Sequence, residues 1–159
     1  MDVAGDNPRP EPQTAGGFGE QDGEIPAGAG AILAVRAAMV AAGTGMDLRG
    51  LAHITGGGLP GNVPRALPNG LGARLDPTRW TMPSVMRLFG ALGGLDDVEL
   101  RATFDGGLGM VVVVPATAVA TTCSAFGARG VEALLVGEVV EASAAEGPRY
   151  VEGRLESIA

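Results

Sequence analysis

HITGGGLPGNVPRALP, residues 53–68, places the chain's one histidine directly before three consecutive glycines, an asparagine and an arginine bracketed by prolines. Adjacent residues without a Cβ weaken any helix or strand that contains them, so a glycine triplet between apolar flanks marks a sharp turn or a close approach. LRGLAHI before it (48–54) is short and apolar and suits a buried strand delivering its last residues to a loop; NVPRALP after it (62–68) suits a short helix. Strand, glycine loop and helix form the unit from which the rest is read.

Upstream, AGAGAILAVRAAMVAAG (27–43) is Ala-rich with Ile32, Val35, Met39 and Val40 on a broad face and Gly43 as its stop, which predicts a helix. Residues 1–24 are dominated by Pro, Gly, Gln, Asp and Glu and read as a disordered tail, so the folded domain is expected over 25–159. Downstream, LGARLD (71–76) alternates like a half-buried strand. PSVMRLFGALGG (83–94) opens with proline and closes on two glycines, as a helix does, and DDVELRAT (96–103) has the acidic first turn of another. The four valines of LGMVVVVP (108–115) make the clearest strand. ATAVATTCSAFGARG (116–130) reads as a helix, EALLVGEVVE (132–141) as a strand and RYVEGRLE (149–156) as an edge strand. This order predicts an α+β fold: a single-domain sandwich of a mixed β-sheet with packed helices. There is no internal repeat.

Composition sets bounds. At 159 residues and 46% apolar content the chain is about one domain long with enough to bury a core, and with 4% aromatic residues that core must be Ala, Val, Leu and Ile. The 27 glycines are more than double the usual share of about 7%. All 11 basic residues are arginine and the net charge is −7, which leaves no basic stripe for nucleic acid. An anionic ligand must therefore be held locally, by backbone N–H groups and one or two arginines. Cys123 stands alone, so no intrachain disulfide or thiolate metal cluster forms and a reducing cytoplasm is expected. The opening MDVAGDNPRP lacks the regions of a signal peptide, and no apolar run is long enough for a bilayer.

Two stretches carry candidate chemistry. A glycine turn between a strand and a helix start presents several N–H groups to one point, so Thr55, Gly56, Gly57 and Gly58 are candidate phosphate-binding residues. GxGxxG and GK[ST] spacings are absent, and a plain tight turn in a glycine-rich chain explains the triplet equally well. His53 suits a proton donor or a hydrogen bond to a phosphoryl oxygen, or else caps a strand end; with no second histidine, metal ligation is not expected. Asn62 and Arg65 stand about a helical turn apart, and Arg65 is either a phosphate partner or a solvated helix residue. In ATFDGGLGMVVVVP (102–115), Thr103, Asp105, Gly106 and Gly107 lie at a strand entrance, where Asp105 orients a hydroxyl or a magnesium-bound water or simply caps its own backbone.

Taken together, HITGGG with NVPRALP, the lone Trp80 before a proline-started helix, ATFDGGLGM with its valine strand and the late LLVGEVVE resemble the C-terminal domain of the aminoimidazole ribonucleotide synthetases, also called phosphoribosylformylglycinamidine cyclo-ligases. The resemblance runs from about residue 31 to 141 and is most specific at His53, Thr55, the glycine triplet and Asn62-Val63-Pro64-Arg65; related families such as selenophosphate synthetase usually have Asp at the His53 position. It implies ATP-dependent closure of formylglycinamidine ribonucleotide to aminoimidazole ribonucleotide in purine biosynthesis, with ATP and Mg2+ as cofactors, His53 as the catalytic candidate and the two glycine loops as the substrate or phosphate site. It also implies a partner, either a separate N-terminal synthetase half, expected to carry most of the ATP site, or a homodimer mate. The chain departs from the family around Ala31–Leu33 and at Ala102 and Asp105, where the family has Arg or Lys and Asn. Losing a cation and gaining an anion weakens a phosphate site. The alternatives are a non-catalytic nucleotide-binding or assembly module of the same fold, or a relative such as a selenophosphate synthetase.

Overall fold

The computed structural model describes residues 48–145 and 149–155, together with Gly30, Leu33, Arg36, Ala37 and Val40. Those five isolated positions are helical; the rest of the helix expected over 27–43, and the tail expected over 1–24, lie outside the described residues.

The unit read first is the unit observed. Strand β1 (Gly50–His53) ends at the loop 54–57, and the chain turns into the single-turn helix α1 (Gly58–Asn62), which runs on as a 3-10 turn over Val63–Ala66. The helix thus begins inside the glycine triplet rather than after it. Strand β2 (Leu71–Leu75) follows, then helices α2 (Ser84–Gly93) and α3 (Asp97–Thr103), both where expected. Helix α3 starts on a reciprocal cap: the Glu99 N–H donates to Asp96 Oδ1 at 2.8 Å and the Asp96 N–H to Glu99 Oε2 at 2.9 Å. Strand β3 is Met110–Val113, helix α4 is Val119–Gly127, strand β4 is Gly137–Glu141 and strand β5 is Tyr150–Glu152.

Helices and strands combine as an α+β fold, but among the described residues the strands divide into two sheets. One is the antiparallel pair β1–β3, with Gly50 opposite Val113 and His53 opposite Met110. The other is mixed, in the order β4-β2-β5, with β4 antiparallel and β5 parallel to β2. Strand β5 is an edge strand, as its sequence suggests. Strand β4 is shorter than the apolar run 132–141, because β2 offers only five partners and the pairing ends at Leu75 and Gly137.

The main core joins the two sheets around α1. Leu59 and Val63 are almost fully enclosed, with Ala52, Ile54, Leu67, Ala73, Leu75 and Tyr150 around them. Val111 and Val113 pack against this cluster, whereas Val112 packs on the other side against Phe126. Opposite faces of β3 thus meet different apolar surroundings, which is why the strand is written as a run of valines rather than an alternation. Helix α2 behaves differently: Val85, Leu88, Phe89 and Leu92 share one helical stripe, and all four are exposed.

Two polar devices tie distant segments to β2. Arg149 has a positive φ of 65°, unusual for a residue with a Cβ. Its guanidinium donates to the carbonyls of Pro64 at 2.8 Å, Pro68 at 2.9 Å and Leu71 at 3.0 Å, and these charge-assisted bonds offset the left-handed backbone. Asp76, buried at the end of β2, accepts from the Thr78 hydroxyl at 2.6 Å, the Thr78 N–H at 3.0 Å and the Leu155 N–H at 3.3 Å, with Arg79 3.5 Å away. The Thr78 hydroxyl bond is the main reason the Asp76 carboxyl sits below its ordinary value of 3.8.

A depressed carboxyl contributes stability above the unfolded-state value and loses it as pH falls through the folded one. Asp76→Asn should therefore lower the melting temperature clearly at pH 6 and progressively less as pH falls below about 4 and through the depressed folded value, beneath which both proteins present a neutral side chain. Thermal melts of the two proteins between pH 2.5 and 7 check this; a constant gap across that range would show that the carboxylate charge is not what holds the strand end.

Candidate functional site

The two glycine-rich stretches, 46 residues apart at Gly58 and Phe104, meet at the C-terminal end of α3. Gly58, buried and with φ +58°, lies so close to that end that a Cβ built on it would overlap the Arg101 carbonyl oxygen and come within 2.7 Å of the Phe104 carbonyl oxygen. Only glycine permits both the left-handed backbone and the approach. Its neighbour Gly57 is also left-handed at φ +88°, but a Cβ there would meet only the Gly61 Cα, at 3.8 Å. Among the described residues, nothing lies within 4 Å of a Cβ built on Gly56 or Gly61. One side of the loop is thus welded to α3 and the other faces outward.

Asn62 holds the loop from within. It is 7% exposed, and its Nδ2 donates to the Gly58 carbonyl at 2.8 Å and lies 3.3 Å from those of Thr55 and Gly56, while Oδ1 accepts from the Thr55 hydroxyl at 3.4 Å. Its amide gathers loop carbonyls. Among the described residues the N–H groups of Gly56 and Gly57 have no backbone acceptor, whereas those of Gly58 and Gly61 are satisfied by Thr55 and Gly57 at 3.0 Å.

The second loop is braced as well. Asp105 Oδ1 accepts from the Gly107 N–H at 2.8 Å, so this carboxylate caps its own turn. The Trp80 indole N–H donates to the Gly106 carbonyl at 3.0 Å, which gives the lone tryptophan its place. Gly106 sits over the Arg101 side chain, whose Cγ lies 2.8 Å from where a Cβ would be.

Of the residues picked out in the sequence, Thr55, Gly56, Gly57, Gly58 and Asn62 form one loop, packed through Gly58 against the Arg101 and Phe104 carbonyls, while Gly106 sits on the Arg101 side chain, Gly107 beside Pro83, and Asp105 ties its own loop. His53 ends β1 with an exposed side chain, Arg65 is exposed on the 3-10 turn beyond Asn62, and Thr103 is exposed at the last residue of α3. Arg65 therefore differs from Asn62 in direction despite their spacing: one is solvated and the other turned inward. Sequence reading misses Arg101, which is 8% exposed and makes a two-pronged pair with Glu152, Nε to Oε1 at 2.9 Å and Nη2 to Oε2 at 2.6 Å. The Tyr150 hydroxyl donates to the same carboxylate at 3.1 Å. The Glu152 hydrogen bond holds the Arg101 guanidinium above its ordinary value, and burial, then the Glu152 charge, raise the Tyr150 phenol.

The residues present fit one implied group and not the other. Unpaired N–H groups beside open space suit a phosphoryl oxygen. No group of three or more His, Cys, Asp or Glu side chains capable of holding a metal exists among the described residues, and Asp105 has one oxygen committed to its own backbone. Magnesium would have to come with ligands from elsewhere, such as nucleotide phosphates.

A family model described as AIR synthase related protein, C-terminal domain, matches residues 13–147. The chain belongs to this family. It is similar to a protein of Sorangium cellulosum named phosphoribosylformylglycinamidine cyclo-ligase, 48% identical over 99 residues that are 62% of this chain and 28% of the relative. Proteins of the same name from Thermosynechococcus vestitus, 45% identical over 60% of this chain and 28% of theirs, and Bordetella petrii, 44% identical over 65% and 29%, match likewise. The chain spans less than a third of the length of these curated relatives. Among the described residues no helix is long and apolar enough to cross a membrane.

Two glycines three positions apart should answer oppositely to the same methyl group. Gly58→Ala, which drives a Cβ into the α3 backbone, should cost about 3 kcal/mol and lower the melting temperature by roughly 10 °C. Gly61→Ala, in helix and open space, should hold or raise it, since alanine is favoured over glycine in a helix by up to about 1 kcal/mol. Calorimetry on the two variants checks the pair, and equal losses would remove the case that Gly58 is a packing glycine.

Proposed function

We propose that this chain supplies the C-terminal part of a phosphoribosylformylglycinamidine cyclo-ligase, which closes formylglycinamidine ribonucleotide to aminoimidazole ribonucleotide with ATP in purine biosynthesis. The observation that carries the reading is the convergence of the two glycine loops on α3 in a chain whose family match spans residues 13–147. In this reading the N–H groups of Gly56 and Gly57 take phosphoryl oxygens, Arg65 adds a cation and Thr55, Thr103 and the 105–107 turn border the ligand. His53, at the exposed end of β1, carries a proton to or from the ring-forming group. ATP, bound with magnesium, supplies the activating phosphoryl group. A separate N-terminal half or a homodimer mate completes the site and closes the sandwich of mixed sheet and helices, and the setting is the cytoplasm.

The contribution expected of this chain is positioning and charge relief, which dominate phosphoryl transfer. One loop and one exposed arginine do not orient two substrates. A second reading, a non-catalytic nucleotide-binding or assembly module, draws on Ala102 and on Asp105, whose carboxylate serves its own turn. One assay separates them. ADP release with formylglycinamidine ribonucleotide should be absent for the chain alone and appear when the N-terminal half of the Sorangium relative is supplied. Turnover by the chain alone would remove the need for a partner; nucleotide binding without turnover in either case would favour the module.

Side-chain tests should follow the geometry. Gly56→Val enters open space at a backbone that is not left-handed, so it should fold normally yet obstruct a phosphoryl group; Gly57 is the poorer probe, because its φ of +88° strains any β-branched residue. Arg65→Ala should weaken phosphorylated substrate by about 10- to 100-fold, the equivalent of roughly 1.5 to 3 kcal/mol for a charge-assisted contact, with the melting temperature unchanged. Titration calorimetry on the completed enzyme reads both, and normal binding by both variants would reduce the loop to a structural turn.

A further inference from the structure

Arg101 touches both glycine loops with different parts of itself. Its carbonyl is the surface against which Gly58 is packed, and its Cγ is the surface beneath Gly106. A residue with two such duties needs a fixed backbone and a fixed side chain. The backbone belongs to the capped helix α3; the side chain is fixed by Glu152, 51 positions later, through two hydrogen bonds at 2.9 and 2.6 Å. Glu152 is itself anchored, opposite Leu75 in the parallel pairing of β5 with β2, and the Gly153 N–H donates to the Leu75 carbonyl at 2.9 Å. A rigid path therefore runs from the centre of the three-stranded sheet through one carboxylate to the residue between the loops.

A planar guanidinium bound in two places to a carboxylate has one orientation, which a lysine ammonium would not enforce. A buried pair of this kind adds little net stability relative to apolar residues of the same shape, so its value here is geometric. We propose that Arg101 and Glu152 are a positioning pair: they set the spacing between the 55–58 and 104–107 loops so that the Gly56 and Gly57 N–H groups and the 104–107 turn close on one phosphorylated ligand. The ligand half of this rests on the reading under Proposed function; the spacing half does not.

The test uses amide hydrogen exchange on the full chain, at N–H groups bonded within each loop: Gly58 and Gly61 in the first, Gly107 and Leu108 in the second. Glu152→Gln, which loses the charge while nearly preserving shape, should speed exchange at least about 10-fold in both loops and leave Ala73 and Asp76, whose N–H groups are bonded to the Arg149 and Val136 carbonyls, within about 2-fold of wild type. Tyr150→Phe, which removes a contact to the carboxylate but spares the fork, should leave both loops as they are. Arg101→Met, which keeps an unbranched stem under Gly106, should repeat the Glu152→Gln pattern; if it fails to fold, Glu152→Gln decides alone. Faster exchange in one loop only, in neither, or everywhere including Ala73 overturns the proposal. Formylglycinamidine ribonucleotide, titrated into the chain completed by the N-terminal half of the Sorangium relative, should bind about 10-fold more weakly to Glu152→Gln than to wild type. Equal affinity would overturn the ligand half, while the exchange result still decides the spacing.

Discussion

The contact between Gly58 and the C-terminal end of α3 leaves no room for a methyl group, and much of the site's geometry follows from it. Because the first turn of α1 must lie against the Arg101 and Phe104 carbonyls, the chain has to enter that turn through left-handed backbone at Gly57 and Gly58. Because the entry is so tight, the loop carbonyls crowd together, and a buried amide at Asn62 is needed to satisfy them. The same close approach places the 104–107 turn beside the triplet, where Trp80 and Asp105 fix it.

The polar residues divide by direction. Those turned inward are occupied: Asn62 with loop carbonyls, Asp76 with the turn after β2, and Arg101 with Glu152. Those turned outward, His53, Arg65 and Thr103, lie near the ends of the elements that frame the loops. In a chain of net charge −7 this division matters, since an approaching anion meets backbone donors and a single framing arginine rather than a basic field. Binding would depend on local geometry, and geometry is what the buried network maintains.

The strand, glycine loop and helix around residues 50–66 are legible in sequence because a triplet between apolar runs has few other uses. The valine run announces β3 for the same kind of reason: both of its faces are apolar. Strand β4 is overread because 131–136 are as apolar as 137–141, and only pairing length, a property of β2, tells them apart; Val131 and Ala133 pack on Phe126 instead. The division into two sheets is a matter of which strands meet, which composition does not encode. Asn62 looks like a ligand residue in the motif and proves to be a clamp, since spacing along a helix gives no direction until the helix has a neighbour. Arg101 with Glu152, and Arg149 with three carbonyls, are invisible for a simpler reason: the partners lie 51 to 85 residues apart, and lone arginines in an acidic chain carry no local signature.

What the frame provides is one side of an enclosure. Behind the loops stand α3, the Arg101–Glu152 pair and the mixed sheet; in front of Gly56 and Gly61 there is open space. Backbone donors are strongest where water is excluded and the dielectric is low, because the field of a dipole is screened least there. Held rigid but left open, the same donors compete with solvent for any phosphoryl oxygen. The rigidity of this face and its openness are therefore complementary: donors held in fixed directions would gain strength from any body that covered them and excluded water.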